Sequence, residues 1–274
     1  MPVCDAPIGI FDSGVGGLSV LNQIRARLPA ESFIYIADSQ HAPYGDKTPD
    51  FIRQRSLELT GLLVSHGAKL IVVACNTATA AAVQTLRETF NVPIVAMEPA
   101  VKPAVTLSRN GRIGVLATTG TLSSARFAAL LDRFGSETEV HTRSCTGWVE
   151  LVEAGNWQND TARAKVSEHV EPLLAQSVDT LILGCTHYPF LKKAIARIAG
   201  PDVSIVDTGT AVARRIEGVL QTQGLLAHAS CPTERFITSL SKVDSAQRVF
   251  ERLWGKTIYL ETLADVQLDQ ECPR

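Results

Sequence analysis

Two of the six cysteines stand at the ends of apolar runs, and each is followed by polar residues and a helix-like stretch. One run leads from Leu70 to Cys75, and the other leads from Leu181 to Cys185. Such runs are typical of buried parallel strands, and ligands of open α/β sheets bind beyond the carboxyl ends of strands. Two thiols on opposite sides of one bound molecule could remove a proton from one face of a carbon and return one to the other. A helix N-terminus beside each thiol would favour the thiolate.

The strands that carry these thiols belong to an internal repeat. Residues 8–14 resemble 113–120, residues 92–95 resemble 203–206, and the two cysteine strands form a third match at nearly the same offset. Stretches with helical periodicity lie between the strands, which predicts right-handed βαβ units and parallel sheets. We therefore predict an α/β fold of two pseudo-symmetric lobes, each a mostly parallel sheet flanked by helices. The active site is expected in the cleft between them.

The two lobes divide the chain unevenly. We assign residues 1–98 plus 207–274 to lobe one, which is discontinuous, and residues 99–206 to lobe two. The tail adds to lobe one a helix at 211–221, a strand at 235–239, a helix at 245–254 and a final strand at 257–260. The chain then crosses between the lobes twice, and two crossings can form a hinge about which the cleft closes.

The composition argues against several classes of partner. The chain has 274 residues, of which 45% are hydrophobic and 20% charged, and its formal net charge is −2. This charge gives no electrostatic reason to bind nucleic acid or an anionic membrane, and no apolar run has the length of a membrane span. The first residues lack the pattern of a secretory signal, and the cysteines form no C-x-x-C pair. We expect a cytoplasmic protein with reduced thiols.

A glycine-rich turn follows the first strand-like stretch. It reads DSGVGG at 12–17, and Ser19 stands where a dinucleotide-binding fingerprint requires glycine. We therefore expect no nucleotide cofactor. Free N–H groups at a helix N-terminus suit a carboxylate as well as a phosphate. The alternative is an ordinary turn in which Asp12 or Ser13 caps the helix.

Other polar positions admit ordinary structural interpretations. The turn around His41 reads as a surface loop with an exposed histidine, and Glu153 reads as a solvated residue of a helix. Cys75, Cys185 and His187 could together bind zinc, although Cys-x-His places two ligands closer in sequence than zinc sites usually do.

Four segments together resemble the glutamate racemase family, within the cofactor-independent aspartate/glutamate racemase superfamily. They are GIFDSGVGG at 9–17, DS at 38–39 with PYG at 43–45, VACNTA at 73–78, and GCTHYP at 184–189. The resemblance covers most of the chain and implies two α/β lobes with the substrate between them. It implies racemisation of L-glutamate to D-glutamate for peptidoglycan synthesis, without pyridoxal phosphate, another cofactor or a metal. Members of the family are often dimeric, which implies a homodimer.

The resemblance also implies roles for individual residues. It makes Cys75 and Cys185 the two catalytic acid/bases, with Asp12 and His187 as their auxiliary partners. The residues that would bind the amino acid are Asp12, Ser13, Tyr44, Gly45, Asn76, Thr77, Thr186 and His187. Further auxiliary candidates are Asp38, Glu153, Thr118 and Thr121.

Chemistry of this kind makes different demands on the two thiols. One thiol begins as thiolate and the other as thiol, and they exchange roles in the reverse direction. The charge of Asp12 would disfavour a thiolate at Cys75, whereas a protonated His187 would stabilise one at Cys185. Hydrogen bonds to the substrate carboxylate, in a site that excludes water, would stabilise the carbanion.

Three other functions remain alternatives. A related racemase or isomerase could act on another amino acid or diacid, such as aspartate. A two-lobed binding protein could close on an amino acid and would need no thiols. A thiol redox protein is disfavoured because the sequence has no C-x-x-C pair.

Overall fold

The computed structural model describes residues 3–135, 138–227 and 231–266, which form ten β-strands and eleven α-helices. The strands are β1 (Ile8–Asp12), β2 (Phe33–Ala37), β3 (Leu70–Val73), β4 (Ile94–Ala96), β5 (Arg112–Ala117), β6 (Glu139–Ser144), β7 (Thr180–Leu183), β8 (Ser204–Val206), β9 (Glu234–Thr238) and β10 (Leu260–Thr262). The helices are α1 (Leu18–Arg27), α2 (Pro49–Ser65), α3 (Asn76–Thr89), α4 (Val101–Leu107), α5 (Thr119–Leu122), α6 (Ala125–Phe134), α7 (Trp148–Glu153), α8 (Asp160–Leu174), α9 (Lys192–Ala199), α10 (Gly209–Thr222) and α11 (Asp244–Trp254).

The strands form two parallel sheets that repeat one strand order. The larger sheet has the order β10-β9-β2-β1-β3-β4, and the smaller sheet has the order β6-β5-β7-β8. The last four strands of the larger sheet therefore correspond one by one to the four strands of the smaller sheet. The matched segments of the sequence occupy equivalent positions in this arrangement. The predicted fold class, two lobes each built on a mostly parallel sheet flanked by helices, is confirmed.

Apolar residues on both faces of the central strands explain the layers. Ile10 and Phe11 are neighbours in β1 and both are fully buried, but they belong to different core clusters because successive side chains point to opposite faces. The cluster that contains Ile10 also contains Leu181 of β7, so the two sheets share one continuous core. A third cluster, around Ile113 and Ile182, covers the other face of the smaller sheet.

The tail of the chain packs on the larger sheet. β9 pairs with β2, β10 pairs with β9, and α10 packs against α1. The ring centroid of Phe33 lies 5.5 Å from that of Phe236 and 5.7 Å from that of Trp254, both in edge-on contacts. The chain passes to the smaller sheet between β4 and β5 and leaves it after β8. The lobe boundaries at residues 98 and 207 remain a prediction.

Two expectations about individual elements differ from the structure. The predicted strand at 257–260 is wrong in position, since β10 begins at Leu260, where the chain comes into register with Phe236. Tyr259, which has the composition of a strand residue, is 79% exposed. The helix α4 at Val101–Leu107 was not predicted, although a proline inside a short stretch does not exclude a helix. Here Pro103 lies in the first turn, where its missing N–H has no partner to lose.

Two features relate to the predicted location: whether the cysteines are paired, and whether a helix could span a membrane. Cys4, Cys75, Cys145, Cys185 and Cys231 are free thiols, while Cys272 lies outside the described residues. No helix within the described ranges combines the length and the apolar composition that crossing a bilayer requires.

Candidate active site

Cys75 lies between the end of β3 and the first turn of α3. Its backbone is extended, and its Sγ caps the helix by accepting a hydrogen bond from the N–H of Ala78 at 3.4 Å. The same sulfur lies 3.7 Å from Oγ of Ser13. The residue is 4% exposed. The predicted placement beyond the carboxyl end of a buried strand is therefore correct for Cys75.

Cys185 occupies the equivalent place after β7. Gly184 precedes it, and a Cβ atom there would come within 2.9 Å of Cβ of Ala117 and 3.1 Å of the carbonyl oxygen of Leu116, so the close approach of β7 to β5 requires glycine. The Cys185 Sγ lies 3.7 Å from Nδ1 of His187, and the residue is 7% exposed. Both thiols are thus shielded from solvent.

Asp12 connects the surroundings of the two thiols. Its Oδ2 accepts a hydrogen bond from the N–H of Gly17 at 2.7 Å and lies 3.3 Å from Oγ1 of Thr186, the neighbour of Cys185. Its Oδ1 lies 3.5 Å from Oγ of Ser13, which contacts Cys75. Asp12 is completely buried. The carboxylate therefore stands in a polar chain that runs from one thiol to the neighbourhood of the other.

Glu153 is not a solvated helix residue, and that interpretation is wrong. Its Oε1 lies 2.7 Å from Nε2 of His187 and accepts the N–H of Val15 at 2.7 Å. Its Oε2 accepts the hydroxyl of Ser39 at 2.9 Å. Trp148 fixes the start of α7 in the core, fully buried, and the helix packs against the turn at 15–17, where Glu153 meets Val15.

Glu153 and His187 both pack against the glycine-rich turn at 12–17. A Cβ on Gly14 would overlap the carboxylate of Glu153, and a Cβ on Gly16 would overlap the imidazole of His187. The free N–H at Val15 does receive a carboxylate, as expected of such a turn, but it is the protein's own Glu153. Asp12, rather than Ser13, accepts from the helix that follows, through Gly17.

The titratable groups in this site have strongly shifted pKa values. Burial raises the pKa of Asp12 to about 6, although the charge of His187 opposes the rise. Burial alone would lower the pKa of His187, but its contacts with Cys185 and Glu153 outweigh burial and hold it well above its usual range. Burial and the neighbouring Asp12 raise the pKa of Cys75, and a charge on Cys185 raises it further.

These shifts correct one expectation and support another. The expected preference of the helix N-terminus for a thiolate is overridden at Cys75, because burial and Asp12 raise its pKa. Cys75 therefore rests as a thiol. The expected effect of Asp12 on Cys75 has the right sign, and a charged His187 next to the Cys185 Sγ is what the chemistry of the second thiol requires.

Asp38 organises a separate network beside the thiols. It accepts the Tyr44 hydroxyl at 2.6 Å and two hydrogen bonds from Arg55, at 2.8 and 3.1 Å. Burial would raise the pKa of Asp38, but these contacts outweigh it and lower the pKa. His41 is not merely exposed, since its Nδ1 lies 3.0 Å from Oδ1 of Asp38. Asp38 thus fixes Tyr44 rather than touching a thiol.

The remaining candidates bring both lobes to the N-terminus of α3. Oγ1 of Thr77 lies 2.9 Å from Oγ1 of Thr118 and 3.2 Å from Oγ1 of Thr121. A Cβ on Gly45 would come within 2.9 Å of Cβ of Thr118. Both side-chain polar atoms of Asn76 are buried without a hydrogen-bond partner among the described residues. An unpaired buried amide is costly, and it is suited to a bound polar ligand.

Sequence analysis missed three contributors to this site. Arg55 carries no local signal, because it stands inside α2 and meets Asp38 only in the folded chain. Ser39 is part of a recognised motif, but its bond to Glu153 is a tertiary contact. Cys145 is a third buried thiol, and it lines a shallow cavity of about 280 Å³, counting the space open to solvent, together with Gly45 and Thr118.

The zinc alternative has no geometric support. Within the described part of the chain, no three or more side chains of histidine, cysteine, aspartate or glutamate are grouped as a metal site would need. His187 directs Nε2 to Glu153 and Nδ1 to the sulfur of Cys185, so both ring nitrogens have protein partners.

Fold and site together define a class of protein: a two-lobed α/β enzyme with two buried thiols at equivalent strand ends and polar side chains between them. The family model for Asp/Glu/Hydantoin racemases matches residues 8–247. The chain belongs to this family.

Comparisons with individual proteins point the same way. The chain is 55% identical over 251 residues to a glutamate racemase of Pseudomonas paraeruginosa. The aligned region covers 91% of this chain and 94% of that protein. It resembles the crystal structure of a glutamate racemase isoform from Bacillus anthracis, with a TM-score of 0.86, 34% identity, and coverage of 94% and 97%. It also resembles the Escherichia coli glutamate racemase in complex with L-glutamate and an activator, with a TM-score of 0.84, 33% identity, and coverage of 94% and 98%.

Proposed function

We propose that this protein interconverts L- and D-glutamate by proton transfer between Cys75 and Cys185, and so supplies D-glutamate for peptidoglycan synthesis. One observation carries the proposal: two buried thiols follow equivalent strands, and a continuous polar chain through Asp12 joins their surroundings. The identity with curated glutamate racemases supports the choice of substrate.

The proton transfer needs one thiolate and one thiol. The thiolate of Cys185 takes the α-proton of one enantiomer and becomes a thiol, and the carbanion takes the proton of the Cys75 thiol from the opposite face. Cys75 is then the thiolate, and the reverse reaction restores the starting state. The raised pKa of Cys75 suits its role as the acid. A charged His187, whose Nδ1 lies 3.7 Å from the Cys185 Sγ, stabilises negative charge on that sulfur during the reaction.

The protonation state of Asp12 affects how readily Cys75 forms a thiolate. With a pKa of about 6, Asp12 is more easily protonated than an ordinary carboxylate, and in its neutral form it no longer repels a thiolate on Cys75. We therefore assign Asp12 a role in accepting or relaying a proton while Cys75 is charged. In its ionised form it can also orient the ammonium group of the substrate.

Stabilisation of the carbanion falls to hydrogen-bond donors around the substrate carboxylate. The unpaired amide of Asn76 and the hydroxyls of Ser13, Thr77 and Thr186 supply such donors at the N-terminus of α3 and beside the second thiol. Donors that are already fixed cost no reorganisation when the charge develops. Tyr44 and Gly45 complete the proposed binding residues, with Thr118, Thr121 and Asp38 in support.

Substrate access requires the lobes to separate. Cys75 and Cys185 are 4% and 7% exposed, so a molecule of the size of glutamate reaches them only when the cleft opens. The two passages of the chain between the sheets supply a hinge, and closure excludes water from the carbanion. The lobe assignments of 1–98 plus 207–274 and 99–206 are part of this proposal.

We also propose a cytoplasmic location and a homodimer. Free thiols persist in reducing compartments, and five of them are found among the described residues. The dimer rests on the resemblance to the family alone, and sedimentation equilibrium tests it directly.

The decisive test measures optical rotation of L- and D-glutamate with the purified protein and no added cofactor. In deuterated water, turnover should place deuterium on the α-carbon. Cys75→Ala and Cys185→Ala should each abolish racemisation, whereas Cys231→Ala, which removes an exposed thiol, should retain it. Full activity in either of the first two variants would exclude the two-thiol mechanism, and faster racemisation of aspartate than of glutamate would reassign the substrate.

A further inference from the structure

A small cavity lies between α3 of the larger sheet and α6, which connects two strands of the smaller sheet. Its volume is about 230 Å³, counting the space open to solvent. Asn76 and Thr79 line it from α3, and Arg126 lines it from α6. Glu98 lines it from the segment after β4, where the chain passes to the smaller sheet. The cavity therefore lies where the two lobes and one of their connections meet.

Three of these side chains have buried polar atoms without a partner. Both amide atoms of Asn76, Oγ1 of Thr79 and Nε of Arg126 are buried, and none has a hydrogen-bond partner among the described residues. Asn76 is 5% exposed and Thr79 is 1% exposed. Thr79 stands one turn after Asn76, so both side chains lie on the same face of α3. Since an unpaired buried polar group is costly, this cluster indicates a bound polar molecule.

A water molecule fits the size and the chemistry of the cavity. The room that the surrounding atoms leave for solvent is about that of a single water molecule. Buried waters typically make about three hydrogen bonds, and an amide, a hydroxyl and a guanidinium N–H line this cavity. Arg126 already forms an ion pair with Glu98 through Nη2, so its charge does not require an anion.

We propose that an ordered water molecule in this cavity bridges Asn76, Thr79 and Arg126, and that Thr79 and Arg126 thereby act as positioning residues for the amide of Asn76. The positioning role rests on the proposed function, in which this amide donates to the substrate carboxylate. The bound water itself does not depend on that function.

The water decides which end of the amide faces the cavity. The two ends of an asparagine amide have nearly the same shape, so only their partners distinguish them. Nε of Arg126 can only donate, so the water accepts from it and keeps both of its own hydrogens. These hydrogens are donated to Oγ1 of Thr79 and Oδ1 of Asn76, and the positive guanidinium favours the amide oxygen on its side. The amide N–H groups are then left for the substrate carboxylate.

The bridge also makes the position of the amide depend on closure of the cleft. Asn76 and Thr79 belong to α3, whereas Arg126 belongs to α6, which packs against α3. The ion pair with Glu98 holds Arg126 at the connection between the sheets. When the lobes separate, α6 moves away from α3 and the water loses one of its partners. Closure therefore completes a donor for the carboxylate as well as excluding solvent.

A crystal structure of the protein at high resolution, with glutamate bound, tests the water directly. We expect density for one water molecule within hydrogen-bond distance of Oγ1 of Thr79, Nε of Arg126 and Oδ1 of Asn76. A cavity without density, or an amide whose nitrogen faces Arg126, overturns the proposal.

Thr79→Val tests the hydroxyl, because valine has nearly the same shape and cannot bind the water. We expect kcat/KM for glutamate to fall by about threefold to tenfold, as for one lost hydrogen bond. Thr79→Ser keeps the hydroxyl and should restore kcat/KM. Thr60→Val is the control, because Thr60 is a buried threonine of α2 whose hydroxyl has no partner within the described ranges and which does not line this cavity. Equal losses in Thr60→Val and Thr79→Val would exclude a specific role for Thr79.

Arg126→Lys tests the third partner, since lysine keeps the charge beside Glu98 and removes the Nε–H. We expect a fall in kcat/KM similar to that in Thr79→Val. Arg133→Lys alters an exposed arginine on the same helix and should have no effect. Full kcat/KM in Arg126→Lys would show that Arg126 acts only through its ion pair and does not position the amide.

A double-mutant cycle separates the positioning role from the proposed function. Asn76→Ala should lower kcat/KM by itself, and adding Thr79→Val should cause no further loss, because Thr79 acts through Asn76. Additive losses overturn the positioning role. If Asn76→Ala racemises glutamate like the unaltered protein, the proposed contact of the amide with the carboxylate is refuted and the positioning role with it. If the unaltered protein racemises no amino acid, the proposed function fails, and the crystal structure alone decides whether the water is bound.

Discussion

The Nε2 atom of His187 lies 2.7 Å from Oε1 of Glu153, and the same carboxylate oxygen accepts the N–H of Val15 from the other lobe. This contact raises the pKa of the imidazole beside Cys185 and holds the glycine-rich turn against α7. One carboxylate thus sets the charge next to a thiol and joins the lobes. Glu153 therefore both holds the two lobes together and affects the charge of His187. The predictions below test this residue and others around the two thiols.

The first prediction concerns Glu153→Gln, which keeps the size of the side chain and removes its charge. Without the carboxylate the pKa of His187 should fall, because a main contribution that raises it is lost. We expect kcat to fall by about tenfold to a hundredfold, as for a lost ion-pair partner of a catalytic group. The alkaline limb of the pH–rate profile should move to lower pH.

The matched control for this variant is Glu150→Gln, which alters an exposed carboxylate on the same helix. It should leave the pH profile where it is. An unchanged profile in Glu153→Gln itself would show that the carboxylate does not set the charge of His187.

The second prediction concerns the stability cost of Asp12. Its pKa rises from an ordinary 3.8 to about 6 in the folded protein, so between these values the folded state binds more protons than the unfolded state. Stability therefore falls as the pH rises through this window, and the ionised group costs up to about 3 kcal/mol at neutral pH. Asp12→Asn removes this cost while its side-chain oxygen can still accept from Gly17.

Urea unfolding of Asp12→Asn should therefore show a higher free energy of unfolding at neutral pH and little gain near about pH 4, where the native carboxyl is protonated. Racemisation should fall at the same time. A uniform gain or loss across the pH range would mean that the buried charge is not the cause.

The third prediction concerns the pairing of Asp38 with Arg55. Arg55→Gln leaves a completely buried carboxylate without its charged partner, which should lower the free energy of unfolding by about 3 kcal/mol. Because the pKa of Asp38 is lowered by its contacts, this stabilisation in the native protein is present above the ordinary pKa and is lost only as the pH falls through the lower folded value. The KM for glutamate should rise, since Tyr44 depends on Asp38 for its position.

Arg53→Gln is the control for this variant, because Arg53 forms an exposed ion pair with Asp50 on the same helix. It should change the free energy of unfolding by less than about 1 kcal/mol. If the two variants lower the free energy of unfolding equally, the buried ion pair of Asp38 contributes no more to stability than an exposed one.

The fourth prediction concerns the glycines that receive lobe two. Gly16→Ala places a methyl group against the imidazole of His187, and Gly14→Ala places one against the carboxylate of Glu153. Each should reduce kcat/KM by about tenfold or more, because small displacements of catalytic groups are costly. Gly218→Ala, which points into open space on α10, should keep activity and raise stability by about 0.5 to 1 kcal/mol. Full activity in both turn variants would show that the cleft does not need this close approach.

Much of the fold could be predicted because its signals are local. Apolar runs such as 70–73 and 181–183 are buried on both faces and read as strands, and the repeated order of short matches predicted equivalent sheets. The final strand was harder, since residues 257–260 have a strand composition and only Leu260 onward meets a partner. Pairing is a non-local property, and composition alone leaves its register open.

The residues of the candidate site also fall into two groups, those with a local signal in the sequence and those recognised only from tertiary contacts. Cys75 and Cys185 could be found from the sequence because each follows a strand and precedes a polar turn. Glu153 could not, because its partners Val15, Ser39 and His187 come from other segments of the chain. Arg55 is similar, since an arginine inside a helix has no local feature that distinguishes a surface position from a partner of Asp38.

By itself, then, the sequence determined the apolar central strands, that the lobes repeat, and that two thiols stand at equivalent strand ends. Only the tertiary structure decided the charges around those thiols. Burial and distance set the pKa of Asp12, Cys75 and His187, and both depend on how the two lobes pack. Hydrophobic periodicity is a property of neighbouring residues, so it can be found in the sequence. The electrostatic environment of a side chain depends on contacts between distant segments, which only the folded chain brings together.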